Sequence, residues 1–183
     1  MHGLVSFLPE PYYQQVKDIW QKLEEECGLQ GIKVTPYPHF SWQIAQDYDL
    51  DLLQTIMSKV AQQASTIPVQ TAGIGLFTGP RPVIYIRVVK STELMNFHAH
   101  LWELTQPAGK GISPFYSPES WMPHISLAYE DVDASNIAPI IEMLAFQNYT
   151  WKMIVDNISL IYEPFGAIGV LKYQHKLAAR ERS

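Results

Sequence analysis

Pro38-His39-Phe40-Ser41-Trp42 and Pro123-His124-Ile125-Ser126-Leu127 are near copies of one another, 85 residues apart. Each reads Pro-His-apolar-Ser-apolar. In an extended strand, residues i and i+2 share one face while the residue between them turns to the other. Each string is therefore expected to project a His/Ser pair from one side of a strand and to bury its apolar neighbours on the other. Two such pairs facing one cleft suit a phosphate ester. Imidazoles can move protons on opposite sides of phosphorus while hydroxyls hold its oxygens.

Working outward, strand-like and helix-like periodicity alternate along the chain. Leu4 to Leu8 reads as a first strand, and Pro11 to Cys27 as a helix with Gly28 as its C-terminal stop. The first His/Ser strand spans about Pro38 to Ala45, followed by a helix over Leu50 to Ala64. Val69, Gly73–Phe77 and Val83–Val89 read as strands joined by the turn Thr78–Pro82. The theme then repeats, with a helix over Thr92 to Gln106, a Pro/Gly/Ser-rich loop over 107–120, the second His/Ser strand and a helix over Ala134 to Phe146. Trp151–Val155, Ile158–Tyr162 and Gly169–Tyr173 close the chain as strands, with a frayed, charged tail expected from Ala178. This order predicts an α+β fold. It is bilobal, with two pseudo-symmetric lobes of antiparallel sheet and outer helices around a central cleft, in a single domain over residues 1–183.

Composition narrows the function classes. Of 183 residues, 47% are hydrophobic and 17% charged, a globular profile. The net charge of −5 is the wrong sign for holding a long nucleic acid by phosphate neutralisation, so a nucleotide or an RNA end gripped locally is the expected partner. Cys27 is the sole cysteine, which excludes an intramolecular disulfide and suits a reducing compartment. The apolar run Gly3–Leu8 has no basic start and stops at Pro9-Glu10, and no stretch approaches the roughly 20 apolar residues of a membrane span. A monomeric cytoplasmic protein with no membrane partner is expected.

At its two paired motifs the chain resembles the 2H phosphoesterase superfamily, named for its paired His-x-Thr/Ser motifs. His39-Phe40-Ser41 matches the first motif and His124-Ile125-Ser126 the second. Gly73–Phe77 followed by Arg81–Tyr85 is similar to the region between motifs in bacterial 2′–5′ RNA ligase-like members, and His124–Tyr129 to the second motif of cyclic phosphodiesterases. Both hydroxyl positions here are Ser, where many ligase-like members carry Thr. The resemblance implies a bilobal, metal-independent phosphodiesterase or RNA-end enzyme that needs no cofactor.

A 2′,3′-cyclic phosphate between the strands illustrates the implied chemistry. One neutral imidazole takes a proton from water as it attacks phosphorus, and the other, protonated, supplies one to the departing ribose oxygen. Ser41 and Ser126 would bind the non-bridging oxygens. Arg81, in the rigid Gly-Pro-Arg-Pro turn, is a candidate phosphate brace. Tyr129, Trp42 and Phe77 are the leading candidates to stack a base, with Tyr116 and Trp121 behind them, and core packing is the competing reading for each. Lys110, in the long loop, is a candidate lid residue. His98-Ala99-His100 is discounted as a metal site, because i and i+2 diverge on a helix. No phosphate loop, dinucleotide fingerprint or nucleotidyl-transfer lysine motif occurs. The alternatives are 2′–5′ RNA ligation, which runs the same proton transfers toward the strained ester, and a binding module without turnover.

Overall fold

A computed structural model describes residues 1–163 and 168–179. In chain order the first half comprises β1 (His2–Phe7), α1 (Tyr12–Cys27), β2 (His39–Ala45), β3 (Asp47–Tyr48), α2 (Leu50–Gln63), β4 (Ile67–Phe77) and β5 (Val83–Val88). The second comprises α3 (Thr92–Thr105), β6 (Gly109–Lys110), β7 (His124–Ala128), α4 (Ile137–Ala145), β8 (Lys152–Val155), β9 (Asn157–Tyr162) and β10 (Val170–Lys176).

Local chemistry accounts for several boundaries. Gly28 takes a left-handed φ of 72° and its N–H closes the last turn of α1 on the Glu24 carbonyl. The side chains of Asp49 and Ser91 accept from the N–H groups of Leu52 and Leu94, capping α2 and α3. The helix expected from Ala134 begins three residues later. Asp133 instead accepts from Ser135, and Asn136 donates to the Asp131 carbonyl, so 134–136 form a turn that competes with helix. The long loop is partly built: Gln106–Ala108 and Pro114–Tyr116 are single 3-10 turns, and β6 between them pairs with β3. At the C-terminal end, Ala178 is not frayed. It bridges Ser65 and exchanges backbone hydrogen bonds with Ala64 and Thr66, whereas 180–183 lie outside the described residues.

Two four-stranded antiparallel sheets form, in the orders β10-β9-β1-β2 and β7-β5-β4-β8. The motif strands β2 and β7 are each an edge, and these edges approach one another at the centre of the molecule. The two lobes are thus as expected, but they are not the two halves of the chain. β9 and β10 return from the C-terminal side to complete the sheet of β1 and β2. α1, from the N-terminal side, packs on β7 and α4, while α2 lies against β9 and β10. Periodicity identifies elements but carries no signal for which sheet a strand joins. The core between these layers holds Phe40, Trp42, Ile84, Ile86, Leu94 and Ile125 at 1% exposure or less. Each such side chain contributes about 1.5–3 kcal/mol by leaving water. Among the described residues, no helix is long and apolar enough to cross a membrane.

Candidate active site

The two motif strands are built alike, atom for atom in several respects. Burial alternates down both, with His39 and Ser41, and likewise His124 and Ser126, on the half-exposed face and Phe40, Trp42, Ile125 and Leu127 buried. Both strands then break phase at the same place. Opposite β1, Ser41 and Gln43 face successive residues Val5 and Leu4, so Trp42 is an extra residue; opposite β5, Ser126 and Ala128 face Tyr85 and Ile84, so Leu127 is extra. Each is a β-bulge one residue after the serine, the device by which a strand bends and re-aims its side chains.

The backbone around each bulge is held by an indole from elsewhere in the chain. Trp121 Nε1 donates to the Ser41 carbonyl at 2.9 Å, and Trp20 Nε1 donates to the Ser126 carbonyl at 3.0 Å. The Pro38 carbonyl accepts from the Leu8 N–H, and the Pro123 carbonyl from the Val88 N–H, both at 3.1 Å. The imidazoles are fixed in the same way. His39 Nδ1 bonds the carbonyl of Tyr37 at 2.5 Å, and His124 Nδ1 bonds that of Met122 at 2.7 Å. A carbonyl only accepts, so Nδ1 carries the hydrogen and Nε2 is the nitrogen left for a ligand.

Both imidazoles hold protons weakly. Burial lowers His39 to about 4; the Tyr37 carbonyl partly offsets this, and repulsion from a charge on His124 adds to the lowering. The two rings therefore sense one another. His124 is lowered by burial against the opposing pull of the Met122 carbonyl. Its ring is enclosed by Phe77 edge-on at 4.9 Å and by Tyr85 at 5.2 Å. Tyr85 can lie there because it crosses Gly75, where a Cβ would sit 2.6 Å from its ring.

His39, Ser41, His124 and Ser126 all line one cavity of about 590 Å³, together with Phe77 and Tyr129. The Tyr116 hydroxyl, also in the lining, interacts with that of Ser41. Burial, the Glu130 carboxylate and the charge of Glu163 push Tyr129 up to about 12, so its phenol stays protonated.

Other candidates lie elsewhere. Trp42 cannot stack a base: it is fully buried, its Nε1 donates to Ser6 Oγ at 2.8 Å, and the same pleat that exposes Ser41 turns it inward. Trp121 is buried as well, stacked on His98 at 3.8 Å. Arg81, expected beside the phosphate, is not among the cavity's lining residues; its exposed guanidinium pairs with Glu130 at 2.7 Å. Lys110 belongs to the β3–β6 pairing and also lies outside the lining. His98 is buried in α3 against Trp121, and among the described residues no cluster of three or more His, Cys, Asp or Glu is placed to hold a metal.

Sequence reasoning did not single out Trp20, Gly75 or Tyr85. Gly75 inside a strand was the one available sign, since a strand glycine marks a close approach. The others depend on tertiary pairing.

A family model described as the 2′-5′ RNA ligase superfamily matches residues 9–164. The chain belongs to that superfamily. Several solved structures share its fold at low identity. TT0787 of Thermus thermophilus aligns with a TM-score of 0.66 at 15% identity, over 98% of this chain and 99% of that one. E. coli LigT, crystallised with 3′-AMP, aligns with a TM-score of 0.60 at 12% identity, over 96% and 97%. A structure described as a phosphoesterase gives 0.59 at 12%, over 97% of each chain. No curated protein matches the sequence. Superfamily membership agrees with the resemblance read from the two His-x-Ser motifs.

Proposed function

We propose that this 2′-5′ RNA ligase superfamily protein is a cytoplasmic, metal-independent phosphodiesterase that opens 2′,3′-cyclic phosphates or related 2′–5′ linkages on nucleotides or RNA ends. The observation that carries this reading is the matched pair of imidazoles lining one cavity, each with Nδ1 tied to the carbonyl two residues before it. The nucleotide bound to E. coli LigT supports the substrate class.

In the proposed reaction, phosphorus sits between the strands. Neutral Nε2 of one imidazole removes a proton from water as the water oxygen bonds to phosphorus. The ribose oxygen leaves and takes a proton from Nε2 of the other imidazole, which starts protonated. One P–O bond forms and one breaks, and the product is a phosphomonoester with a free hydroxyl. The two histidines end with their charges exchanged and return by proton exchange with solvent. Ser41 and Ser126 donate to the non-bridging oxygens as charge builds there. Ligation would be the same transfers with the 5′-hydroxyl of a second strand in place of water: it loses its proton as its oxygen bonds to phosphorus, and the P–O bond of the cyclic ester breaks to leave a ribose hydroxyl.

Incubation with 2′,3′-cyclic nucleotides should yield phosphomonoester, and EDTA should leave the rate unchanged. His39→Ala and His124→Ala should each lower kcat by about 10²–10⁴-fold. Turnover lost to EDTA, or retained by either variant, would overturn the reading. Binding kept by both variants with no wild-type turnover would instead indicate a binding module.

A further inference from the structure

The cavity around the histidines carries little charge. Among the described residues that line it, Glu163 is the only charged side chain besides the imidazoles, and no lysine or arginine is present. Three basic groups at or within two residues of the lining are paired. Arg81 is paired with Glu130, Lys33, between the lining residues Ile32 and Val34, with Glu24, and the Met1 amino group with Glu163. A surface that tracks a nucleic-acid strand needs unpaired cations along the phosphates. Here the walls are apolar instead, with Val5, Val34, Ile44 and Ile161 on one side. At the mouth stands Phe115, 77% exposed, with Met122, 52% exposed. The volume of about 590 Å³ is that of a small-molecule site.

We propose that the substrate is a single nucleoside cyclic phosphate with one phosphorus centre, its uncharged base lying against this apolar wall and Phe115, and that strands carrying further phosphates are disfavoured. This rests on the phosphoesterase reading above and names its substrate class. The phosphate is met by the two His/Ser pairs, and a second phosphate would lie on apolar wall or near Glu163, with no lysine or arginine among the described lining residues to receive it. Phe115 is suited to the base because its ring is already exposed and its backbone is held in a 3-10 turn that begins at Pro114.

The test compares a 2′,3′-cyclic mononucleotide with a tetranucleotide ending in the same cyclic phosphate, by turnover, and the corresponding 3′-phosphates by calorimetric binding at two salt concentrations. The mononucleotide should be preferred by about 10-fold or more in kcat/KM. Its log Kobs should fall with log salt at a slope shallower than about −1, since single strands contribute about −0.7 per phosphate contacted. Phe115→Ala should raise KM by about 10-fold with kcat unchanged, in line with loss of one stacked base. A tetranucleotide that binds or turns over as well as the mononucleotide, or a salt slope for it of about −2 or steeper, overturns the proposal and leaves the phosphodiesterase reading intact. Tighter mononucleotide binding without turnover of either compound supports the proposal and overturns the catalytic reading. Failure of the mononucleotide both to bind and to react overturns both.

Discussion

Burial holds the His39 imidazole at about 4 and lowers His124 too, while the carbonyls of Tyr37 and Met122 pull the other way. The proposed chemistry needs one ring charged and one neutral. In the free protein that state is most populated between about 4 and the lowered value of His124, which is below 6.5. The kcat/KM profile should therefore be a bell with its maximum on the acid side of 6.5, falling toward neutral pH. A bound phosphate anion favours the protonated rings, so the kcat bell should lie at higher pH than the kcat/KM bell. A kcat/KM that keeps rising above about pH 7 would contradict this. The four motif residues could be read from sequence because a period-two alternation needs no knowledge of the fold. The same alternation buries Trp42, so its expected stacking role was in conflict with the local pattern. Arg81 was a different case: its partner Glu130 is 49 positions away, and nothing local announces the pair.

At the scale of elements, the paired bulges and their indole donors set where the serines point. The Ser41 and Ser126 carbonyls belong to distorted edge strands, and each finds its donor on another element, Trp121 ahead of β7 and Trp20 in α1. Replacing either tryptophan with phenylalanine keeps an aromatic body and removes the N–H. A buried carbonyl left unpaired costs about 1–3 kcal/mol. Trp121→Phe and Trp20→Phe should each lower kcat by about 10-fold with KM and the pH bell little changed, because the strand bearing the hydroxyl loses its anchor while the cavity wall stays. A fall in thermal stability with unaltered kcat would show the indoles to be structural only. Element existence was legible nearly throughout, because amphipathic helices and alternating strands have distinct periods. The bulges were not, since a one-residue insertion is defined by the partner strand. The late start of α4 was missed because side chains of Asp133 and Asn136 compete with helical bonds.

For the whole molecule, a buried histidine outside the cavity ties stability to pH. His98 is 1% exposed and stacked on Trp121; burial lowers it to about 4, only partly offset by the carbonyls of Trp42 and Tyr116. Its folded value lies below the unfolded 6.5, so the unfolded chain binds the proton more readily, and stability is full above 6.5 and lost as pH falls toward 4. The loss should reach about 2 kcal/mol by about pH 5 from this group alone. Urea unfolding at about pH 7 and about pH 5 measures it, and His98→Gln should flatten the dependence; an equal slope in the variant would assign the effect elsewhere. Sheet membership was the part of the fold that pattern reading missed, because helical and strand periods are blind to long-range pairing.

That β1 lies between β2 and β9 has a consequence for biosynthesis. As the polypeptide leaves the ribosome, the strand bearing His39 and its one partner, β1, form a two-stranded ribbon until residues 157–176 emerge to pair on the other side of β1. An isolated two-stranded ribbon is marginal in water. The nascent chain therefore holds His39 and Ser41 on an unfinished platform, and the sheet that brings them to the shared cavity is completed only once residue 176 has emerged.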